Sequence, residues 1–335
     1  MDYILIIPIL ASFFIVLFLM PFWIRKAKFI GLMWPDMNKT GKEKVAGSGG
    51  IVVVPGFLVG TLLFIAYRVF IVGKADYLVQ ILSLLLVILM VAGIGLIDDL
   101  LGWQKGGLSR RARMLMIGIS AIPLMAINAG EHVFSLFGVQ YNLGLIYALI
   151  IIPIGLIGTT STFNFLAGFN GLEAGLGILM IGGLSIVSFL TGNSWLAALG
   201  LCMCAALIAF LAYNKCPAKV FPGDVITYPI GALIAGMAIL GNFEKIAMFF
   251  FIPYICEVIL KSRGKLVKYS FGKPNDDGSL DLLYDKIYGL THLSIVVLKK
   301  IGIKPNEKNV VYLIWAFQAL IICLGFIIFR EGIFS

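Results

Sequence analysis

Four stretches of this chain place carboxylates and amides where an apolar sequence supplies nothing to neutralise them. Asp98 and Asp99 stand side by side in GIGLIDDLLGW, at the end of a long apolar run. Adjacent like charges at a helix C-terminus are unfavourable, because the helix dipole places negative potential there too. The pair therefore either faces a cation, namely a divalent metal or Arg110, Arg111 and Arg113 close behind it, or stands in water as two loop aspartates. Asp224 follows Pro222-Gly223 in FPGDVITYPIG. A carboxylate on that rigid turn suits a hard metal and equally suits a helix N-cap. The stretch 162–175, TFNFLAGFNGLEAG, sets Asn164, Asn170 and Glu173 among glycines where two apolar segments meet. Polar groups there are costly unless they line a wet cavity or are buried in protein. Read as a site, the two asparagines supply carbonyl oxygens and amide donors, and Gly168 and Gly171 permit close backbone approach; read blandly, the stretch is an inter-helix turn. Glu173 is expected to be structural, capping the next helix or pairing with a loop base. In PDMNKT, Pro35-Asp36 begins a turn, and Asn38, Lys39 and Thr40 add donors near the membrane surface, unless that loop is merely basic.

Oxygen donors without histidine or thiolate partners imply Mg²⁺, with Mn²⁺ as the alternative. Bases beside them imply phosphate. Acidic residues, a hard metal and bases around a glycine-lined mouth meet the needs of phosphoryl transfer, which depends on charge neutralisation and in-line positioning. No GxxxxGK[ST] loop occurs, so an ATP-driven machine is not expected.

The elements that must position these residues are apolar helices. Of 335 residues 60% are hydrophobic and 13% charged, a balance foreign to soluble globular domains. The apolar runs are long enough to cross a hydrocarbon layer of ~30 Å. Ten candidate spans are legible: 3–24, 51–72, 77–97, 114–129, 143–159, 176–190, 195–213, 225–241, 246–260 and 310–329. The fold class is therefore an all-α polytopic membrane protein, a single integral domain over 1–335. The first run lacks a small-residue cleavage site and reads as a retained helix. Most of the 26 lysines and arginines fall in one set of loops, which makes that set cytoplasmic and leaves both termini outside. The net charge of +9 is an orientation and headgroup signal, not one for nucleic acid, because no basic soluble module exists to bind it. His132 falls outside and His292 inside, which excludes a histidine-rich metal site. The five cysteines show no ligand spacing and read as small apolar fillers.

The loop 261–309 is the one large enough to shape a pocket, and its second part, DLLYDKIYGLTHLSIVVLKKIG, carries an apolar stripe expected to lie along the interface as an amphipathic helix. Every polar feature singled out lies at helix ends on the cytoplasmic side. A transporter for nucleotide sugars or lipid-linked sugars would place polar groups near mid-bilayer and usually show repeat symmetry; neither is legible here. The distribution favours an enzyme that joins a water-soluble substrate to a lipid.

IDDLLG at 97–102, NFLAGFNGLEAG at 164–175, FPGDVITYPIG at 221–231 and PDMNKT at 35–40 together resemble the ordered motifs of the polyprenyl-phosphate N-acetylhexosamine-1-phosphate transferases. Ala167 and Asn170 stand where the bacterial branches typically carry aspartates, so the chain is most similar to the archaeal and eukaryotic dolichyl-phosphate branch. The compact last loop looks more archaeal, which implies a cell membrane, with the endoplasmic reticulum as the alternative. The resemblance implies transfer of N-acetylglucosamine 1-phosphate from UDP-N-acetylglucosamine to dolichyl phosphate with release of UMP, the first membrane step of lipid-linked glycan assembly. It also implies roles: Asn164 and Asp224 on Mg²⁺, Asn170 and the Gly168 backbone toward uracil, and Asp98 and Asp99 positioning or deprotonating the lipid phosphate. Arg110 or Arg111 would take the place of a family lysine near the phosphates, with Asp36, Asn38 and Lys39 closing the nucleotide side. A homodimer is compatible with the family pattern. One departure stands out: the histidine- and arginine-rich motif of the family's last loop is replaced by KYSFGKPNDDGSLD. Another UDP-N-acetylhexosamine therefore remains the alternative donor.

Overall fold

The computed structural model describes residues 6–131, 133–136 and 139–334; His132 and the first residues of the first predicted span lie outside them. Eight helical segments are each long and apolar enough to span a membrane. In chain order they are built on α1 (Ile6–Ile30), α2 (Gly50–Ala66, continued by a π-turn to Ile71), α3 (Leu78–Lys105), α6 (Ile152–Phe165, entered by a π-turn from Tyr147), α7 (Leu172–Leu190), α8 (Ser194–Asn214), α9 (Asp224–Gly241) and α13 (Glu307–Ile328).

The fourth and ninth predicted spans are each split in two. α4 (Arg110–Ile119) passes into α5 (Ile122–Ala126), and α10 (Glu244–Phe250) into α11 (Ile252–Ser262). Each second helix carries a proline in its first turn, Pro123 and Pro253. A proline lacks the N–H that would continue the preceding ladder, so one helix ends and another begins there. Both pairs still traverse the bundle. Leu108 lies at Asp98 whereas Glu131 donates its N–H to Asn242 (2.8 Å), and Glu244 lies at the Asn242 end whereas Lys261 reaches the Phe165 carbonyl. Among the described residues, eight of the ten anticipated spans are thus continuous helices and the other two are broken helix pairs.

α9 is the most buried of the long spans and α1 the least. α9 packs on α3 and α6 and joins two apolar cores, the larger drawn from α1, α2, α7, α8 and α13 and the smaller from α3 to α6. Such burial suits a glycine-rich sequence, because small residues let helix backbones approach within lipid, where no hydrophobic force drives helices together. At the end bearing most basic loops, β1 (Met33–Pro35) pairs antiparallel with β2 (Lys44–Ala46), with Met33 opposite Ala46. Ala46 also bridges Val220, and Gly49 donates to the Phe221 carbonyl (2.9 Å), fixing the first loop to the α8–α9 turn. At the other end β3 (Val133–Leu136) and β4 (Val139–Asn142) form a hairpin.

The loop 261–309 differs from its expectation. Residues 282–289 are irregular, and the helix is confined to α12 (Leu290–Lys300), preceded by a short pairing of β5 (Lys273–Pro274) with β6 (Leu280–Asp281). The apolar stripe of α12 packs on α11 and α13, burying Leu290, Ile295 and Leu298, so protein covers much of the face that was expected to meet lipid.

Candidate active site

Asp98 and Asp99 lie inside α3 rather than at its end, because Leu100, Leu101 and Trp103 carry the helix on until Gly106 terminates it in a left-handed conformation. Being consecutive in a helix, the two carboxylates point about 100° apart, and they meet different partners. Asp98 turns into the protein, where it accepts from the Leu108 N–H (2.6 Å), Arg113 (3.0 Å) and the Tyr228 hydroxyl (3.2 Å). Asp99 faces a cavity of about 560 Å³ and accepts from Ser48 Oγ (2.9 Å) and the Asp224 N–H (2.8 Å). The pair was expected to share one task; the helix geometry divides it.

Asp224 is the first residue of α9 and follows Gly223, which makes no side-chain cap. It is therefore not the N-cap but a carboxylate in the first turn, aimed into the cavity with Arg113 at 3.8 Å. Gly223 has φ +74, and a Cβ on it would stand 2.1 Å from Asp99 Oδ2, so only glycine lets the turn bring Asp99 and Asp224 together. Asn164, in the last turn of α6, lines the same cavity, and its Oδ1 accepts from Thr227 (3.3 Å).

The opposite wall comes from the α6–α7 turn and the first loop. Asn170 donates from Nδ2 to Asp36 Oδ2 (2.9 Å), Asn38 donates to the Gly168 carbonyl (2.8 Å), and Asn38 Oδ1 accepts from Gly272 N–H (3.0 Å). Burial raises the Asp36 carboxyl above the usual carboxylate range, against the Asn170 hydrogen bond that lowers it. Glu173 accepts the Gly168 N–H (2.9 Å), bracing the turn rather than capping α7 or pairing with a loop base as expected, and among the described residues its other oxygen has no hydrogen-bond partner. Lys39 faces a neighbouring cavity and pairs with Glu307. Burial would lower its ammonium, but the Glu307 carboxylate prevails and pushes it up to about 12.

The last loop closes the cavity with Tyr269 and Phe271, rings 6.1 Å apart and nearly parallel. Gly168 has φ +104 and lies so close to Phe271 that a Cβ would stand 2.8 Å from the ring. His292 is buried; it accepts the Tyr288 N–H on Nδ1 (3.3 Å), which leaves Nε2 to donate to the Phe271 carbonyl (3.1 Å). Burial lowers its pKa, consistent with a neutral ring that anchors the aromatic arm.

Asp36, Asp99, Asn164, Gly168, Asn170 and Asp224 are thus brought around one cavity, with Asn38 buried behind its wall. Arg110 and Arg111 are not. Arg110 donates to the Leu266 carbonyl (3.0 Å), and Arg111 is exposed. Arg113, one helical turn beyond Ser109 and Arg110, is the guanidinium that reaches the carboxylates. Among the described residues no three His, Cys, Asp or Glu side chains converge as a ready ligand set. The donors present, the Asp224 carboxylate and the Asn164 carbonyl, are hard oxygens. They fit a metal held by one or two protein ligands and completed by phosphate and water, as Mg²⁺ commonly is.

Residues 81–242, which carry Asp98, Asp99, Asn164, Asn170 and Asp224, match the model of glycosyl transferase family 4. Across 97% of this chain and 96% of the relative, the sequence is 33% identical to a Saccharolobus solfataricus protein provisionally named UDP-N-acetylglucosamine–dolichyl-phosphate N-acetylglucosaminephosphotransferase. The chain belongs to glycosyl transferase family 4. A Sulfolobus acidocaldarius protein of the same provisional name is 30% identical over 96% of this chain and 95% of its own. A phospho-N-acetylmuramoyl-pentapeptide-transferase of Streptococcus thermophilus is 26% identical over 92% and 93%. The dolichyl-phosphate branch expected from Ala167 and Asn170 is thus matched at higher identity than this bacterial relative. As a family member with eight helices long and apolar enough to cross a membrane among the described residues, the protein is a multi-pass protein of the cell membrane.

Sequence reasoning missed Ser48, Tyr228, Phe271 and Glu307. Ser48 sits in a glycine tract with no charge to mark it, Tyr228 in a run that read as an ordinary span, and Glu307 near the end of the 261–309 loop. Phe271 lies in a loop whose path only tertiary contacts reveal.

Proposed function

We propose that the protein transfers N-acetylglucosamine 1-phosphate from UDP-N-acetylglucosamine to a polyprenyl phosphate of the dolichyl type, releasing UMP, at the cytoplasmic face of the cell membrane. The observation that carries this reading is the convergence of Asp99, Asp224 and Asn164 on one cavity, with Arg113 3.8 Å from Asp224, at the basic end of an apolar bundle. The full-length similarity to the two archaeal relatives supports the donor and the acceptor.

An oxygen of the lipid phosphate attacks the β-phosphorus of the donor. The bond from that phosphorus to the oxygen bridging the α- and β-phosphates breaks, and UMP leaves with that oxygen. Asp99, facing the cavity on a rigid helix, holds the lipid phosphate in line and takes its proton where it carries one. Asp98 does not touch the cavity; it orients Arg113, which meets charge developing on the phosphates. Asn164 and Asp224 would hold Mg²⁺, which when bound neutralises the diphosphate and polarises its phosphorus. Phe271, packed on Gly168, offers its ring for stacking of the base, a contact worth roughly 1–3 kcal/mol per base elsewhere. Asp36, Asn38 and Lys39 brace that wall rather than touch the phosphates.

The test is purified protein in detergent with dolichyl phosphate, Mg²⁺ and a panel of UDP-sugars, following UMP and lipid-linked product together. UMP released only with acceptor and UDP-N-acetylglucosamine is the expected result. Release with a different UDP-sugar would keep the reaction and change the donor; release with none would overturn the reading.

A further inference from the structure

Glu307 has no place in the chemistry above, yet it is 4% exposed and is the most heavily bonded carboxylate near the cavity. Asn306 caps α13 by accepting the Asn309 N–H (2.8 Å), which puts Glu307 in the first turn, where the helix dipole favours a negative charge. Its Oε1 accepts the Asn170 N–H (2.8 Å). Its Oε2 accepts Asn170 Nδ2 (3.3 Å), the Cys216 thiol (3.1 Å) and the Lys39 ammonium. One carboxylate therefore ties the last long helix to the first loop, the α6–α7 turn and the α8–α9 turn.

The consequence falls on Asn170. A primary amide has two N–H donors on nitrogen and an acceptor oxygen. Both donors are committed, one to Asp36 and one to Glu307, and each of those partners is a buried carboxylate that needs a donor. Turning the amide over would set its oxygen against two carboxylates. Only Oδ1 is left for a ligand, on a residue that lines the cavity beside Gly168 and Phe271.

We infer that Glu307 is a positioning residue which, together with Asp36, locks Asn170 with its carbonyl toward the cavity, so that the site selects a nucleobase presenting an N–H at that point over one presenting a lone pair. This rests on the transferase reading. In a uracil the ring imide N–H meets that oxygen; in a cytosine the same ring position is an acceptor and is repelled. The preference for UDP over CDP donors thus resides in a glutamate that touches neither.

The test measures calorimetric binding of UDP and CDP, with Mg²⁺, to the full-length protein in detergent, beside turnover of UDP-N-acetylglucosamine. Wild-type protein is expected to prefer UDP by about 100-fold, since a buried polar group left unpaired weakens binding by that order. Glu307→Ala should weaken UDP binding roughly tenfold and narrow the preference to about threefold, with KM for the lipid acceptor unchanged. Glu307→Gln keeps the volume and an acceptor for the Asn170 N–H. It should restore part of the affinity, but its own amide can accommodate either orientation of Asn170, so about a tenfold loss of preference should persist. The Gln variant also decides the matter should the Ala variant fail to fold. Folded variants that keep the wild-type preference, or that weaken UDP and CDP equally, overturn the inference. Wild-type protein that turns over no UDP-sugar would instead sink the transferase reading. Turnover of UDP-N-acetylglucosamine with no preference for UDP over CDP would sink this inference alone.

Discussion

The two walls of the cavity are built on opposite electrostatic plans. On one, Asp99 and Asp224 line the cavity, and Asp98 behind them joins Asp224 in flanking the guanidinium of Arg113, so three carboxylates stand near one cation. On the other, Asp36, Asn170, Lys39 and Glu307 form a network that pairs each carboxylate with donors and leaves Asn170 Oδ1 for a ligand. Unbalanced charge near a lipid core is costly and persists where a ligand completes it. A matched network is rigid and suited to reading shape and hydrogen-bond pattern. On the proposed function, the first wall serves chemistry and the second recognition.

Substitutions can break this division at points of decreasing force. Asp224→Asn and Asp99→Asn should each lower kcat by about 10³-fold, the scale of losing a group that acts on developing charge, as read by UMP release. Arg113→Ala should lower kcat by roughly 10²-fold, and Arg110→Ala and Arg111→Ala far less. An equal loss for all three would restore the arginines that the sequence suggested. Asn164→Ala should raise the Mg²⁺ concentration for half-maximal rate about tenfold or more with little change in the saturated rate; an unaltered titration would remove Asn164 from the metal. At the far end, Asn242→Ala loses the hydrogen bond from Glu131 and sets alanine at φ +55. It should cost about 1–2 kcal/mol of stability, seen as a lower Tm with unchanged kcat.

The apolar runs made the helical bundle legible, since length and hydrophobicity alone specify a span. What they could not show was the interruption of two traverses, because prolines also stand inside α1, α2 and α9 without ending them. Whether a proline breaks a helix in lipid depends on neighbours that re-satisfy the freed carbonyl. The site was legible wherever polarity contradicted the surrounding sequence, as at Asp99, Asn164, Asn170 and Asp224. It was illegible where a residue's meaning depends on direction. Asp98 and Asp99 are identical in sequence context and diverge only through helix rotation, and Arg113 is distinguished from Arg111 by the face it occupies and from Arg110 by lying one turn further along α4. Glu307, 137 positions from Asn170, begins an ordinary apolar helix, and nothing local marks it.

The most direct test of the two-wall account is calorimetric titration of UDP-N-acetylglucosamine, with Mg²⁺, into the Asp99→Asn protein alongside its UMP release. Separate walls predict a donor Kd within about threefold of wild type, less than one hydrogen bond's worth, in a protein that releases almost no UMP. Loss of donor binding together with turnover would contradict the account and make the two walls a single binding surface.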